Sequence, residues 1–540
     1  MVSVSCFAGS GPFCVNGAEI RHEDAGTVSA ESESELRHTH INWWICPTGG
    51  FSDKERVQLL VDEFEEAYPQ IDVDYRILDE VTGPGEIRTA LERKLPEAGE
   101  ASDAGDLSDE GKPDSKDSPD AGKPDSKDSP DEGKPDSKDS PDAGKPEVRD
   151  LSDTGEPDAQ DSPEEGEPSD REALPGQEDS PDVILAAPEY LVTQWGREGL
   201  MADLSDLWDE ETQSEFRTEM KDAVRSREGV WYAVPLFRDL YTMAINYDLF
   251  AEAGALQYLN EEVHSWKDSG FIDAVLRIHD HLEQSGRENS VAGRVYCKDK
   301  AGQRAFMSFV SNFLNTGIVD EYHSSYQLEK GNVRSVFGTL MKMVGKGIEF
   351  DAEMNGDEEN EAFLNQDVFL TFNWSAGKQQ AAQDLDFRVF PMMYPNSKNL
   401  PALTGPVGAL GVVRTKDKEK EDAAVSFVRF FMMDENAYVD TVKTSGCFPA
   451  RRRIGNNELK LLYGTDQTMQ LYEVFNDYYD DYVPVMELFD QLEEEWPEMI
   501  RMIADGKKIK SVMKEENRKL NTALEERYGI RPISMEGEEE

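Results

Sequence analysis

The chain has 540 residues, 111 of them acidic and 56 basic, for a formal net charge of -55. Such a chain lacks the basic face that displaces counterions from nucleic acid, so no nucleic-acid partner is expected. Its five cysteines are widely spaced with no C-x-x-C and its histidines number only seven, so neither a disulfide framework, a zinc site nor any cofactor is expected.

Residues 1–39 are polar, small or acidic and read as a disordered tail or tether. Val2 to Cys6, followed by Phe7-Ala8-Gly9-Ser10-Gly11, resembles the end of a bacterial lipoprotein signal, although Ser3 stands where Leu is usual. A lipid anchor on Cys6 and an ordinary tail are both open. No apolar run reaches the ~18 residues of a spanning helix.

Folding starts with a short apolar strand at 41–45. Ser52 is a plausible N-cap with Glu55 as its capping-box partner. Val57, Leu60, Val61 and Phe64 then fall at i, i+3, i+4 and i+7, one face of a helix that Pro69 stops. Residues 71–77 alternate as a half-buried strand, and a second helix is predicted over 85–95. Strand, helix, strand, helix begins an α/β sheet. From 97 to 180 the pattern breaks. Three copies of GKPDSKDSPD plus Ala or Glu run from 111 to 143, and the whole stretch carries about 30 acids and 9 bases. Two prolines per repeat and no apolar seam forbid both helix and core, so a disordered, solvated acidic insertion is expected.

A strand is predicted at 181–187, followed by Pro188-Glu189-Tyr190 and a loop or short helix to Trp195. Residues 227–250 hold a Gly229 turn, an aromatic run closed by Pro235, the Arg238-Asp239 pair, an apolar strand and a helix from Asp248. That is how a backbone leaves one packed unit for another. Helical texture follows, with Phe306, Phe309, Val310 and Phe313 on one face. Strands are predicted at 368–372 (then Asn373-Trp374), 387–391 and 405–413, a helix at 419–433, and amphipathic helices from 457 to 529.

In this order the segments resemble extracellular solute-binding proteins of the family 1 type, the binding components of bacterial ABC importers for sugars and related solutes. The residues that carry the likeness are Phe64 to Val73, Ser180 to Ile184, Gly199 to Leu204, Gly229 to Pro235, Ile245 to Phe250 with Ala253-Gly254, Phe372-Asn373-Trp374, Ala423 to Phe430, Gly446 to Arg451 and Gly506 to Leu524. The resemblance implies an α/β, two-lobe periplasmic-binding-protein-like fold with inter-lobe hinge crossovers near 241–242 and 389–391. Lobe one would take 40–96, 181–242 and 391–443, and lobe two 243–390 and 444–540. It also implies a monomer at the extracellular face of the membrane that captures a sugar or oligosaccharide and passes it to an ABC transporter permease. A surface sensor or scaffold on the same fold, and a polyamine or peptide solute, are the alternatives. Three departures stand out: the acidic insertion, a reduced His264-Ser265-Trp266 where the family has Pro-x-Thr-Trp, and the incomplete signal.

Sugars are held by aromatic faces and fixed polar groups, which open α/β sheets place at strand ends. Trp44 ends a strand before a Gly loop; core and cleft are both open to it, and of Trp43 and Trp44 one is expected to be buried. Glu189 and Tyr190 follow a strand where the family has polar ligand contacts. Asp239 aligns with a family carboxylate in the crossover loop, with an ion pair to Arg238 as its alternative. Trp374 matches a family aromatic, and Arg451 and Phe448 are weaker candidates. The chain has no G-x-S-x-G, Walker, H-E-x-x-H or G-x-G-x-x-G motif, so no enzyme activity is expected.

Overall fold

Alternating buried strands and amphipathic helices assemble into two β-sheets in a computed structural model that describes residues 38–94 and 180–532, apart from 48, 80–81, 288, 316, 399, 453–462 and 481. The tail with Cys6 lies outside the described residues, as does the acidic insertion up to 179. The first sheet contains β1 (Thr39–Ile45), β2 (Ile71–Ile77), β3 (Val183–Ala186), β4 (Val234–Arg238), β10 (Val407–Val412) and β11 (Phe448–Pro449), in the order β11-β4-β10-β3-β1-β2. The second contains β5 (Thr242–Asn246), β6 (Val291–Tyr296), β7 (Ile348–Asp351), β8 (Val368–Trp374) and β9 (Val389–Met392), in the order β7-β6-β8-β5-β9. This is the two-lobe α/β architecture expected from the sequence.

In the first sheet β1 runs parallel to β2 and β3, with Trp43 opposite both Tyr75 and Val183. The register therefore passes unbroken from β1 to β3, although the acidic insertion lies between them in the sequence. Helix Lys54–Ala67 buries the four residues its spacing singles out, Val57, Leu60, Val61 and Phe64. Its cap is Asp53, not Ser52: the Asp53 carboxylate accepts from the N–H groups of Glu55 and Arg56, while Ser52 belongs to a 3-10 turn, Gly49–Ser52. Both Trp43 and Trp44 are buried. Trp43 packs on Phe427 and Phe431 of helix Lys418–Met433, and the Arg76 guanidinium lies 4.9 Å from the Trp44 ring.

Two boundaries differ from expectation. Pro391 lies inside β9, paired with Ala244, so the chain leaves the second sheet only after Met392. β9 is an edge strand, where a missing N–H leaves no ladder bond unmade. β11 pairs with β4 in the first sheet although it follows residue 444. Among the described residues no helix is long and apolar enough to cross a membrane.

Candidate functional site

The two sheets are joined where β4 passes into β5 and β9 into β10. These connections lie side by side: the Asp239 N–H donates to Pro406 O at 2.9 Å and the Tyr241 N–H to Thr404 O at 2.8 Å. Leu403 in turn exchanges backbone bonds with Tyr478 and Asp480. The strands approach so closely that a Cβ on Gly405 would stand 2.1 Å from the Asp239 carbonyl oxygen, so only glycine fits there.

A cavity of about 370 Å³ opens beside this crossing. Tyr241, Tyr482 and Phe489 give it aromatic surface, and Ser308, Ser311 and Thr404 line it with hydroxyls. A neighbouring cavity of about 300 Å³ shares Tyr482 and Glu321 with it, and reaches Arg197, Arg227 and Glu487.

Charged side chains tie the two halves together around these cavities. Glu189 sits in the turn after β3. Its Oε1 accepts from Arg304 Nη2 at 2.7 Å and its Oε2 from the Tyr482 hydroxyl at 2.7 Å. Arg304 belongs to helix Lys300–Asn312, which packs on the second sheet, and its guanidinium also grips Glu493 of helix Phe489–Ala504 through Nε and Nη2. Burial alone would raise the Glu189 pKa, but the Arg304 charge and the Tyr482 hydroxyl outweigh it and hold the carboxyl below its usual range. Arg304 is correspondingly held well above its own, its two acids outweighing burial. The opposite arrangement lies nearby: Glu487, buried in the second half, receives Arg197 and Arg227 from the first, the latter at 3.3 Å. The Tyr190 hydroxyl accepts from Lys300 Nζ at 2.6 Å.

Of the sequence candidates, then, the structure brings Glu189 and Tyr190 to the junction of the halves, with both Glu189 oxygens already engaged. Asp239 is half-buried in the first crossing. Its carboxylate accepts the Leu240 N–H at 2.8 Å, and burial raises its pKa to about 6 against that bond and Lys378. Arg238 does not pair with it; it turns to Glu219 at 3.3 Å and lies 4.6 Å from the Tyr479 ring. Trp374 is a core residue, 1 % exposed, in a satellite cluster with Phe363, Phe387 and Val389. Its indole N–H donates to Gln379 Oε1 at 2.8 Å, and it lines neither cavity. Trp44 is likewise core. Arg451 pairs with Glu215 and covers the Tyr438 ring at 5.0 Å, inside the first half. Arg304, Tyr482, Glu487 and Glu493 carry the junction, and no sequence motif marks them: Arg304 meets partners 115 and 189 positions away.

The profile of the bacterial extracellular solute-binding proteins matches residues 168–459. None of the curated proteins matches. Among solved structures, the GacH receptor of Streptomyces glaucescens, studied unliganded and with acarbose, superposes with a TM-score of 0.59 at 13% identity, covering 91% of this chain and 99% of that one. Lmo0181 of Listeria monocytogenes, an ABC substrate-binding protein in complex with cycloalternan, gives 0.59 at 14%, over 90% and 99%. UgpB of Mycobacterium tuberculosis, in complex with glycerophosphocholine, gives 0.60 at 12%, over 90% and 98%. At these identities the likeness speaks for the fold alone.

Proposed function

We propose, for a chain that belongs to the bacterial extracellular solute-binding proteins, that the cleft beside the crossings captures a sugar or oligosaccharide and delivers it to the permease of an ABC transporter. The observation that carries this reading is the cavity of about 370 Å³ with Tyr241, Tyr482 and Phe489 among its walls and serine and threonine hydroxyls between them. Flat aromatic surface suits the C–H faces of a sugar, and short fixed hydroxyls suit its own. The two sheets would form the cores of two lobes, with boundaries at 239–241 and 393–406. Glu189, Tyr190 and Asp239 would then contribute to closure and to the shape of the cleft floor, while Trp44, Trp374 and Arg451 hold the lobes in shape.

Titration calorimetry with maltose, maltotriose and cyclic oligosaccharides, against glycerophosphocholine and spermidine as contrasts, tests this. A sugar should give saturable heat, and Tyr241→Ala should weaken it about tenfold, or ~1.4 kcal/mol. A response confined to polyamines or peptides would sink the sugar reading.

A further inference from the structure

A second concavity, of about 580 Å³, opens between helix Gly331–Met343 and helix Ile509–Tyr528 and shares no lining residue with the cleft cavities. Lys330 and Arg334 face it from one helix start; Lys510 and Lys514 face it from the other, and Asn517 and Asn521 continue the same stripe. One acid, Glu329, lies on its lining.

This arrangement runs against the chain's habits. Acids outnumber bases 111 to 56, yet among the described residues none of these four cations has an ion-pair partner. Each helix carries a like-charged pair four residues apart, which repels. Both pairs stand at N-terminal ends, where the helix dipole disfavours cations. Neither helix has an acid in its first turn or a side-chain cap, and their caps are Lys330 and Lys508. Helices Lys54–Ala67 and Lys418–Met433, by contrast, open with an aspartate cap and an acid in the first turn. A donor is also left over at the pocket: Arg334 Nε is buried without a hydrogen-bond partner. Repulsion, dipole and the unmet Arg334 donor all oppose this cluster, and a bound anion is the species that would reverse all three.

We infer that this concavity is a second binding site, for a multiply charged small oxyanion of the phosphate class. The Arg334 guanidinium offers a planar fork for two oxygens, and the lysines supply mobile positive charge around it. The inference does not rest on the cleft reading.

The test is calorimetry of the full chain with inorganic pyrophosphate at low ionic strength, against sodium chloride of matched strength. One saturable site is expected, weakened at least tenfold by Arg334→Gln combined with Lys514→Gln. The unliganded double variant should melt no lower than the parent, since it has lost only repulsion; a lower melting temperature would mark the residues as structural and overturn the proposal. Absence of saturable heat, equal affinity in the double variant, or binding to phosphatidic acid vesicles without binding of pyrophosphate would overturn it too.

Discussion

Glu189, in the turn after β3, and Glu359, in helix Gly356–Leu364 packed on β8, are both buried carboxylates, and their surroundings treat them in opposite ways. Glu189 meets a guanidinium and a phenol, and is held below the usual carboxylate range. Glu359 meets the Thr371 hydroxyl at 2.9 Å, and its second oxygen has no partner. Burial raises its pKa to about 7, with Thr371, Lys378 and Arg294 offsetting only part of that. The carboxylate that reaches between the halves is thus kept charged by a cation from the other half. The carboxyl inside one half, with no cation in contact, stays protonated only until pH nears 7. Contact between the halves should persist through neutral pH, whereas the second half should lose stability as neutrality is passed.

The sharpest way to break this comparison is to remove the cation. Arg304→Met leaves Glu189 and Glu493 facing each other without the guanidinium that joins them, and Tyr482 as the one side-chain donor to the first among the described residues. Deleting one partner of a buried ion pair costs about 3–5 kcal/mol, and part of that can be relieved by parting the halves. The expected outcome at pH 7 is a lower urea midpoint together with a larger radius of gyration in small-angle scattering; a variant that keeps both would show that the bridge does not hold the halves. Because the Glu189 pKa is depressed, the bridge's contribution is present above the usual carboxylate range and is lost as pH falls below it. The acid limb of the stability profile should therefore flatten in this variant.

Glu359→Gln probes the other side. The carboxyl has an ordinary value of 4.5 and a folded value of about 7. Its favourable contribution is therefore complete below 4.5 and disappears as pH rises through 7. At ~1.4 kcal/mol per unit, ionising it in the folded protein costs roughly 3 kcal/mol. The amide cannot ionise, so the variant should gain up to about 3 kcal/mol over the parent at pH 8 and little at pH 5. Urea denaturation at the two pH values checks this, and equal gains at both would contradict it.

The same contrast explains what could be read from the sequence. Local periodicity marked the Val57 to Phe64 face and the alternation of β2, because each depends on neighbours a few residues away. The position of β11, the end of β9 and the burial of Trp374 depend on which strand lies alongside, and spacing does not carry that. Trp374 ends a buried strand, as a ligand aromatic would. Only Phe363, Phe387 and Gln379 folded around it place it in a core. Arg304 precedes an aromatic face that was legible, yet its role comes from carboxylates on two distant segments. The junction is thus the least legible part of the chain, because it is built from the longest-range pairs.

The smallest expected effect concerns Tyr482, whose hydroxyl is the second support of Glu189. Tyr482→Phe keeps the ring and removes one hydrogen bond to a charged group, a change worth about 1.5–3 kcal/mol in a closed site. Glu189 lines a smaller cavity of about 180 Å³, so water can reach the abandoned oxygen, and the loss should fall at the low end of that range, about 1.5 kcal/mol. The ionised form of Glu189 loses a donor, so its pKa should rise and the acid limb should begin at a higher pH than in the parent. A double-mutant cycle with Glu189→Gln separates this from packing. If the hydroxyl acts through the carboxylate, the two effects are strongly non-additive. If Tyr482→Phe costs the same in the Glu189→Gln background, the phenol acts on the cavity alone, and Arg304 is the side chain that sets the charge of Glu189.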